Sequence, residues 1–157
     1  MDFTRLPLTH RQTIPEDYLD LLGHMNVMWY THLFDMATWN FVALFGMTPD
    51  YHLHSGNGSF ALEQHTRYLA EVRAGENVLI YTRLLGRSAK RFHFFHFMVK
   101  EKSGLLSATT ELIGTHVDMG TRRTSPLPGE IGALVDRMLA EHQALGWEAP
   151  VCGAMAP

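Results

Sequence analysis

The run Asp20-Leu21-Leu22-Gly23-His24-Met25-Asn26 sets a carboxylate, a glycine turn and a helix start close together, and an amphipathic pattern follows at once from Val27 to Phe45. A helix opens with unpaired backbone N–H groups and the positive end of its dipole. An acid beside that end can act as a general base on water or attack a carbonyl itself. The N–H groups near Asn26 and Val27 would then hold the developing oxyanion. Gly23 suits a sharp turn or a close backbone approach. His24 can polarise a carbonyl, orient Asp20 or bond the loop backbone. Asn26 is a natural N-cap, and its amide is also placed to hold a water. Taken singly, each has a plainer reading, since Asp and Gly are ordinary turn residues. Their order at the head of a long apolar helix is what points to chemistry.

Other candidates carry less. Glu63 and His65 are two apart on a predicted strand, so they share a face. If that face looks at the helix start, Glu63 is a second carboxylate for the site; if it looks outward, the two are surface residues. Lys90 and Arg91, with Arg87, Arg122 and Arg123, fall at turns and could hold the phosphates of a nucleotide tail. They read equally well as solvated hairpin ends. His52-x-His54 lies in a predicted loop. His93 and His96 are three apart on a strand and point to opposite faces, so no metal site and no metal cofactor are expected. A glycine-rich phosphate loop and a Gly-x-Ser-x-Gly elbow are both missing.

The elements that must position these residues follow from periodicity. Residues 8–14 read as a strand closed by Pro15. Tyr30, Leu33, Phe34, Ala37, Phe41, Leu44 and Phe45 make one stripe at helical spacing, with Asn26 as N-cap and Gly46 just past the end. Trp29, Trp39 and Val42 widen the stripe, which predicts a helix largely wrapped by other structure. Residues 47–59 read as a loop. Strands are predicted at Phe60–Leu69, Val78–Leu85, Arg91–Lys100 and Leu105–Asp118, and a second helix at Pro128–Leu145. The tail, 146–157, is expected to be loose. Phenylalanines on both faces of 91–100 call for cover on each side, from another subunit or the C-terminal helix.

The chain of 157 residues is 46% hydrophobic and 18% charged, which fits a single domain with a buried core. A net charge of −3 lacks the basic face that nucleic acid would need. Cys152 is the one cysteine, so no internal disulfide forms. The absence of a signal-like or membrane-length apolar run sets the expectation of a cytoplasmic protein that contacts neither membrane nor nucleic acid.

Asp20-x-x-Gly23-His24-x-Asn26, then Tyr30 and Phe34-Asp35-x-Ala37, resembles the hotdog-fold acyl-CoA thioesterases of the 4-hydroxybenzoyl-CoA thioesterase type. The resemblance continues through Tyr68-Leu69-x-x-Val72-x-x-Gly75-Glu76 and His116-Val117-Asp118 and covers about residues 8–127. It implies an α+β hotdog fold, in which a five-stranded antiparallel sheet wraps a long central helix and a C-terminal helix follows. It also implies homodimers or homotetramers that pair their sheets, with active sites at the interface. On these residues it puts the catalytic acid at Asp20, flanked by His24 and Asn26. The oxyanion end falls at Gly23 to Val27, and Tyr30, Glu63 and His65 are candidates for substrate contact. Glu63-x-His65-x-Arg67-Tyr68-Leu69, Ala89-Lys90-Arg91-Phe92-His93 and Thr121-Arg122-Arg123 are similar to a narrower group, the betainyl-CoA thioesterases. A quaternary ammonium acyl group would want aromatic faces and a carboxylate, for which Trp29, Trp39, Tyr68 and Glu63 are candidates. Coenzyme A would enter as part of the substrate, held at Lys90 and Arg91, with no separate cofactor. The rival functions are an acyl-carrier-protein thioesterase, which wants a basic docking surface, and a non-catalytic acyl-CoA-binding protein, which does not need Asp20.

Overall fold

A computed structural model describes residues 1–157. The long helix α1, Val27–Ala43, starts where Asn26 caps it: the Asn26 side-chain oxygen accepts the Met28 N–H at 3.0 Å. Gly46, at φ +88°, takes the left-handed conformation that turns the chain away past its end. Tyr30, Leu33, Phe34, Ala37, Phe41 and Val42 form its buried face. Against it curls an antiparallel sheet of β1 (Leu8–Thr13), β2 (Asn57–Tyr68), β3 (Asn77–Arg87), β4 (Arg91–Lys100) and β5 (Leu106–Asp118). The spatial order is β1-β3-β4-β5-β2, and a two-residue strand β6 (Arg123–Thr124) pairs off β5. The inner face carries Val78, Ile80, Leu84, Phe92, Phe94, Met98, Ala108 and Leu112. Gly114 makes room for one of them, because a Cβ there would fall 2.5 Å from the Phe92 ring. Each such buried Phe or Leu contributes roughly 1.5–3 kcal/mol of apolar burial.

Three expectations change. Residues 47–59 hold a short helix, α2 (Pro49–His54), because Thr48 caps it through Tyr51 N–H and Pro49 sits at its first turn. The tail is not loose. Trp147 packs on Phe97 and Phe3, its ring lies 4.4 Å from the Arg83 guanidinium, and Ala149 is buried. The outer face of β4 is therefore covered from within the chain, by Phe3, Leu6, Leu145, Trp147 and Ala149 around Phe95 and Phe97. The C-terminal helix α3 (Gly129–Gln143) instead closes one end of the inner core, through Ile131 and Val135 against Phe41, Phe92 and Phe94. What stays bare is β2. Residues 60–68 are mostly exposed, and their outer backbone edge has no partner strand.

A polar chain crosses the core beneath α1. The hydroxyl of Thr38 donates to the Phe34 carbonyl, so His96 Nε2, 3.0 Å away, must carry the proton toward Thr38. Nδ1 of His96 then accepts from Thr82 at 2.7 Å, and Thr82 in turn accepts from Thr9 at 2.7 Å, whose hydroxyl also lies 3.0 Å from the Ile80 carbonyl. This satisfies a fully buried imidazole in one neutral tautomer. Burial pushes His96 down to about 3. Burial, then the nearby Arg83, pushes His142 down to about 4.

Both imidazoles are neutral in the fold, while an unfolded histidine takes up its proton near pH 6.5. Their share of stability is complete above that pH and is lost as pH falls toward 4 and then 3. Denaturant unfolding between pH 7 and pH 5 should show stability falling with a slope of about two protons or more, since burial also lowers His10 and His116. The His142→Gln variant should lower the slope by about one proton. A flat profile would mean that these side chains are not buried neutral.

Candidate active site

The loop ahead of α1 doubles back on itself. Leu19 and Met25 form an antiparallel bridge, Asp20 N–H donates to the His24 carbonyl at 2.9 Å, and Gly23 N–H donates to the Asp20 carbonyl at 3.1 Å. Gly23 lies at φ +80°, where a side chain would be strained. Met25 N–H to Val72 and Asn26 N–H to Tyr18 tie the base of the loop to the body. Asp20 is thereby brought beside His24, with Oδ2 3.5 Å from His24 Nδ1. Its Oδ1 accepts the Leu22 N–H at 2.8 Å, and the side chain is 25% exposed.

The helix start presents one free donor. Met28 N–H is taken by the Asn26 side chain and Trp29 N–H by the Asn26 carbonyl, whereas Val27 N–H has no acceptor and Val27 is 58% exposed. Capping commits the side-chain oxygen of Asn26, so only its NH2 group is left to hold a water or substrate. Next to this end is a hollow of about 360 Å³, lined by His24, Met25, Val27, Tyr30, Tyr68 and Leu69 among others. Tyr30 meets Tyr68 edge-on, and burial pushes its hydroxyl up to about 12, so it stays a neutral donor. Of the expected residues, His24, Val27, Tyr30 and Tyr68 converge here, whereas Asp20, Gly23 and Asn26 lie outside its lining.

The same seam between α1 and β2 continues into a second hollow of about 200 Å³, whose walls include Phe34, Asp35, Trp39, Phe60, Gln64 and Phe94. Sequence reasoning saw Asp35 only as part of a resemblance and did not single out Phe60 or Gln64. Trp39, expected on the wrapped stripe of the helix and as an aromatic candidate for the acyl head group, is 44% exposed and lines this seam. Asp35 is exposed and makes no ion pair. Trp29 is used elsewhere, stacked on Tyr18 at 3.7 Å.

Glu63 and His65 do not face the helix start. Ala61 lies on the inner face opposite Gly114, and simple alternation would put Glu63 there as well. A bulge between Ala61 and Glu63 inserts Leu62 and reverses the phase. Gln64 consequently turns inward and lines the seam, while Glu63 and His65 turn outward. Lys90 and Arg91 are exposed at the β3–β4 turn, and Lys90 Nζ reaches the Thr124 carbonyl at 3.5 Å. Arg87 is already committed to Asp136. Arg122 lies over the Phe60 ring at 5.5 Å. His93 and His96 do point to opposite faces: His93 bonds Glu111 on the outer side at 2.8 Å, and His96 lies in the core.

Comparison with known proteins places these features in context. Residues 14–135 match the sequence family described as the thioesterase-like superfamily. A betainyl-CoA thioesterase of Pseudomonas aeruginosa is 32% identical over 137 residues, which is 87% of this chain and 86% of that protein. An L-carnitine dehydrogenase/betainyl-CoA thioesterase of Ruegeria pomeroyi is 34% identical over 143 residues. The match spans 91% of this chain but only 28% of that longer protein. Among solved structures, a putative thioesterase of Pseudomonas putida superposes with a TM-score of 0.81 at 29% identity, covering 97% of this chain and 96% of that one. A Staphylococcus aureus protein in complex with CoA superposes with a TM-score of 0.86 at 24% identity, covering 97% and 96%, and shows the shared fold.

Proposed function

The chain belongs to the thioesterase-like superfamily, and we propose that it hydrolyses the thioester of a small acyl-CoA, with betainyl-CoA the favoured substrate. The observation that carries this reading is the Asp20 carboxylate 3.5 Å from His24, which lines the hollow at a helix start whose Val27 N–H has no partner. Asp20 either attacks the thioester carbon or takes a proton from the water that does. Both routes put negative charge on the carbonyl oxygen, where Val27 N–H and the helix dipole stabilise it. The C–S bond then breaks, water supplies the new oxygen, and free acid and CoA leave. Asn26 fixes the helix start, Gly23 the turn, and His24 the rotamer of Asp20. No step requires a metal or a separate cofactor.

Two features support a cationic acyl group. Asp35 is a carboxylate without an ion-pair partner, and the aromatic faces of Phe34, Trp39 and Phe60 share its hollow. These residues replace Glu63 and Tyr68 as the favoured contacts for the head group. The CoA phosphates are assigned to Lys90 and Arg91, since Arg87 is already paired. We also take the protein to be a cytoplasmic homodimer or homotetramer. Support comes from β2, whose unpaired edge and exposed Phe60, Leu62 and Tyr68 suit a second copy continuing the sheet.

Turnover of short, aromatic and quaternary-ammonium acyl-CoA esters tests the reading. Asp20→Asn should lower kcat by about 10²-fold or more, the scale of general acid–base catalysis. Glu63→Gln should leave it near wild type, and exhaustive EDTA treatment should not abolish turnover. Asp35→Asn should raise KM for betainyl-CoA about tenfold, equivalent to ~1.4 kcal/mol, with little effect on neutral esters. Near-normal kcat in Asp20→Asn with loss in Glu63→Gln would move the chemistry to the outer face. Inactivity of the wild type on every ester would favour a binding protein.

A further inference from the structure

On the opposite face of the sheet from the seam, three segments far apart in sequence bring different metal-ligating groups together. His65 on β2 pairs in register with Glu111 on β5, and Cys152 comes down over them from the C-terminal tail. One imidazole nitrogen, one carboxylate oxygen and the thiol sulfur all lie within 4.8 Å of one another. We propose that His65, Glu111 and Cys152 form a binding site for a zinc-type divalent cation, which fastens the tail to the sheet.

Glu111 is the centre of the argument. It is 1% exposed in the middle of a strand, where a carboxylate is costly unless compensated. His93 Nε2 lies 2.8 Å from one of its oxygens, and Cys152 N–H donates to the other at 2.7 Å. Each oxygen keeps a lone pair for a cation. A tail strap made of these hydrogen bonds alone would account for Glu111 and His93. It would also account for the Cys152 thiol, which bonds Glu111 as well, but not for a second imidazole, that of His65, at the same carboxylate.

The chemistry of the set selects the ion. Thiolate, imidazole and carboxylate together suit zinc, whereas calcium and magnesium favour oxygen alone. Ligands bound at about 2.0–2.3 Å in a tetrahedron sit about 3.3–3.8 Å apart, so the three atoms need to close by roughly 1 Å. His65 and Cys152 are exposed and free to make that adjustment. Three protein ligands leave the fourth position to water. His93 becomes an outer partner that orients the ligating carboxylate. The site lies across the sheet from Asp20, so the proposal stands apart from the assigned activity. It predicts that chelation loosens the tail and leaves turnover in place.

Cobalt(II) titration of the chelator-stripped full chain tests it. One Co²⁺ per chain should bind, giving a thiolate-to-cobalt charge-transfer band in the near ultraviolet and the visible bands of a tetrahedral site. Cys152→Ser should abolish the charge-transfer band, and His65→Ala should weaken Co²⁺ binding at least tenfold. Both positions are exposed, so the variants should fold. Zinc should raise the Tm of the wild type and not that of Cys152→Ser. Absence of a thiolate band at stoichiometric Co²⁺, or the same band and Tm gain in Cys152→Ser, would overturn the proposal.

Discussion

A single helix about 10 Å across has to cover the inner face of five strands spaced about 4.8 Å apart, and it is too narrow to do so. The rest of the structure follows from that mismatch. The sheet curls to meet α1, which packs most closely on β1 and β3. α3 closes one end of the core with Ile131 and Val135. The strand furthest from the helix, β2, is left uncovered, and the seam between it and α1 stays open. The helix is held in place from below by the buried Thr38–His96–Thr82 chain, which fixes a neutral imidazole under its middle. The gap is thus a product of geometry, and the chain lines it with aromatic rings and one unpaired carboxylate.

The proposed chemistry belongs to the hollow that His24, Val27 and Tyr30 line at the start of the helix. Asn26 takes one of the unpaired donors for the cap, its carbonyl takes another, and Val27 N–H is left over. The same loop that caps the helix folds Asp20 back onto His24, with Gly23 supplying the turn. Local folding requirements and the proposed catalytic requirements therefore use the same seven residues. This is why the motif is compact; Asp20→Asn removes the charge but keeps an oxygen to accept the Leu22 N–H, so the fold should be largely unchanged.

Much of this is legible from periodicity and caps. The stripe from Tyr30 to Phe41, Asn26 as N-cap and the strand Arg91–Lys100 all stand where their patterns put them. What periodicity cannot give is which strand face turns inward once a bulge intervenes. Leu62 alone decides that Gln64, and not Glu63, lines the seam. Composition also misled in the tail, where small residues and prolines suggested looseness. Its anchors are single groups, the Trp147 ring and the Cys152 N–H, whose partners on β4 and β5 are visible only after folding. The covering of Phe95 and Phe97 by Phe3 and Leu6 is hidden for the same reason, since it joins the two ends of the chain.

The most direct measurement is a crystal structure with a non-hydrolysable acyl-CoA analogue whose thioester sulfur is replaced by methylene. The account predicts its carbonyl oxygen about 3 Å from Val27 N, with the Asp20 carboxylate facing the carbonyl carbon and the acyl head beside Asp35 and Trp39. In an oligomer these groups can come from two copies of the chain. A carbonyl bound instead against Glu63 and His65, with Val27 N–H still unpartnered, would contradict it.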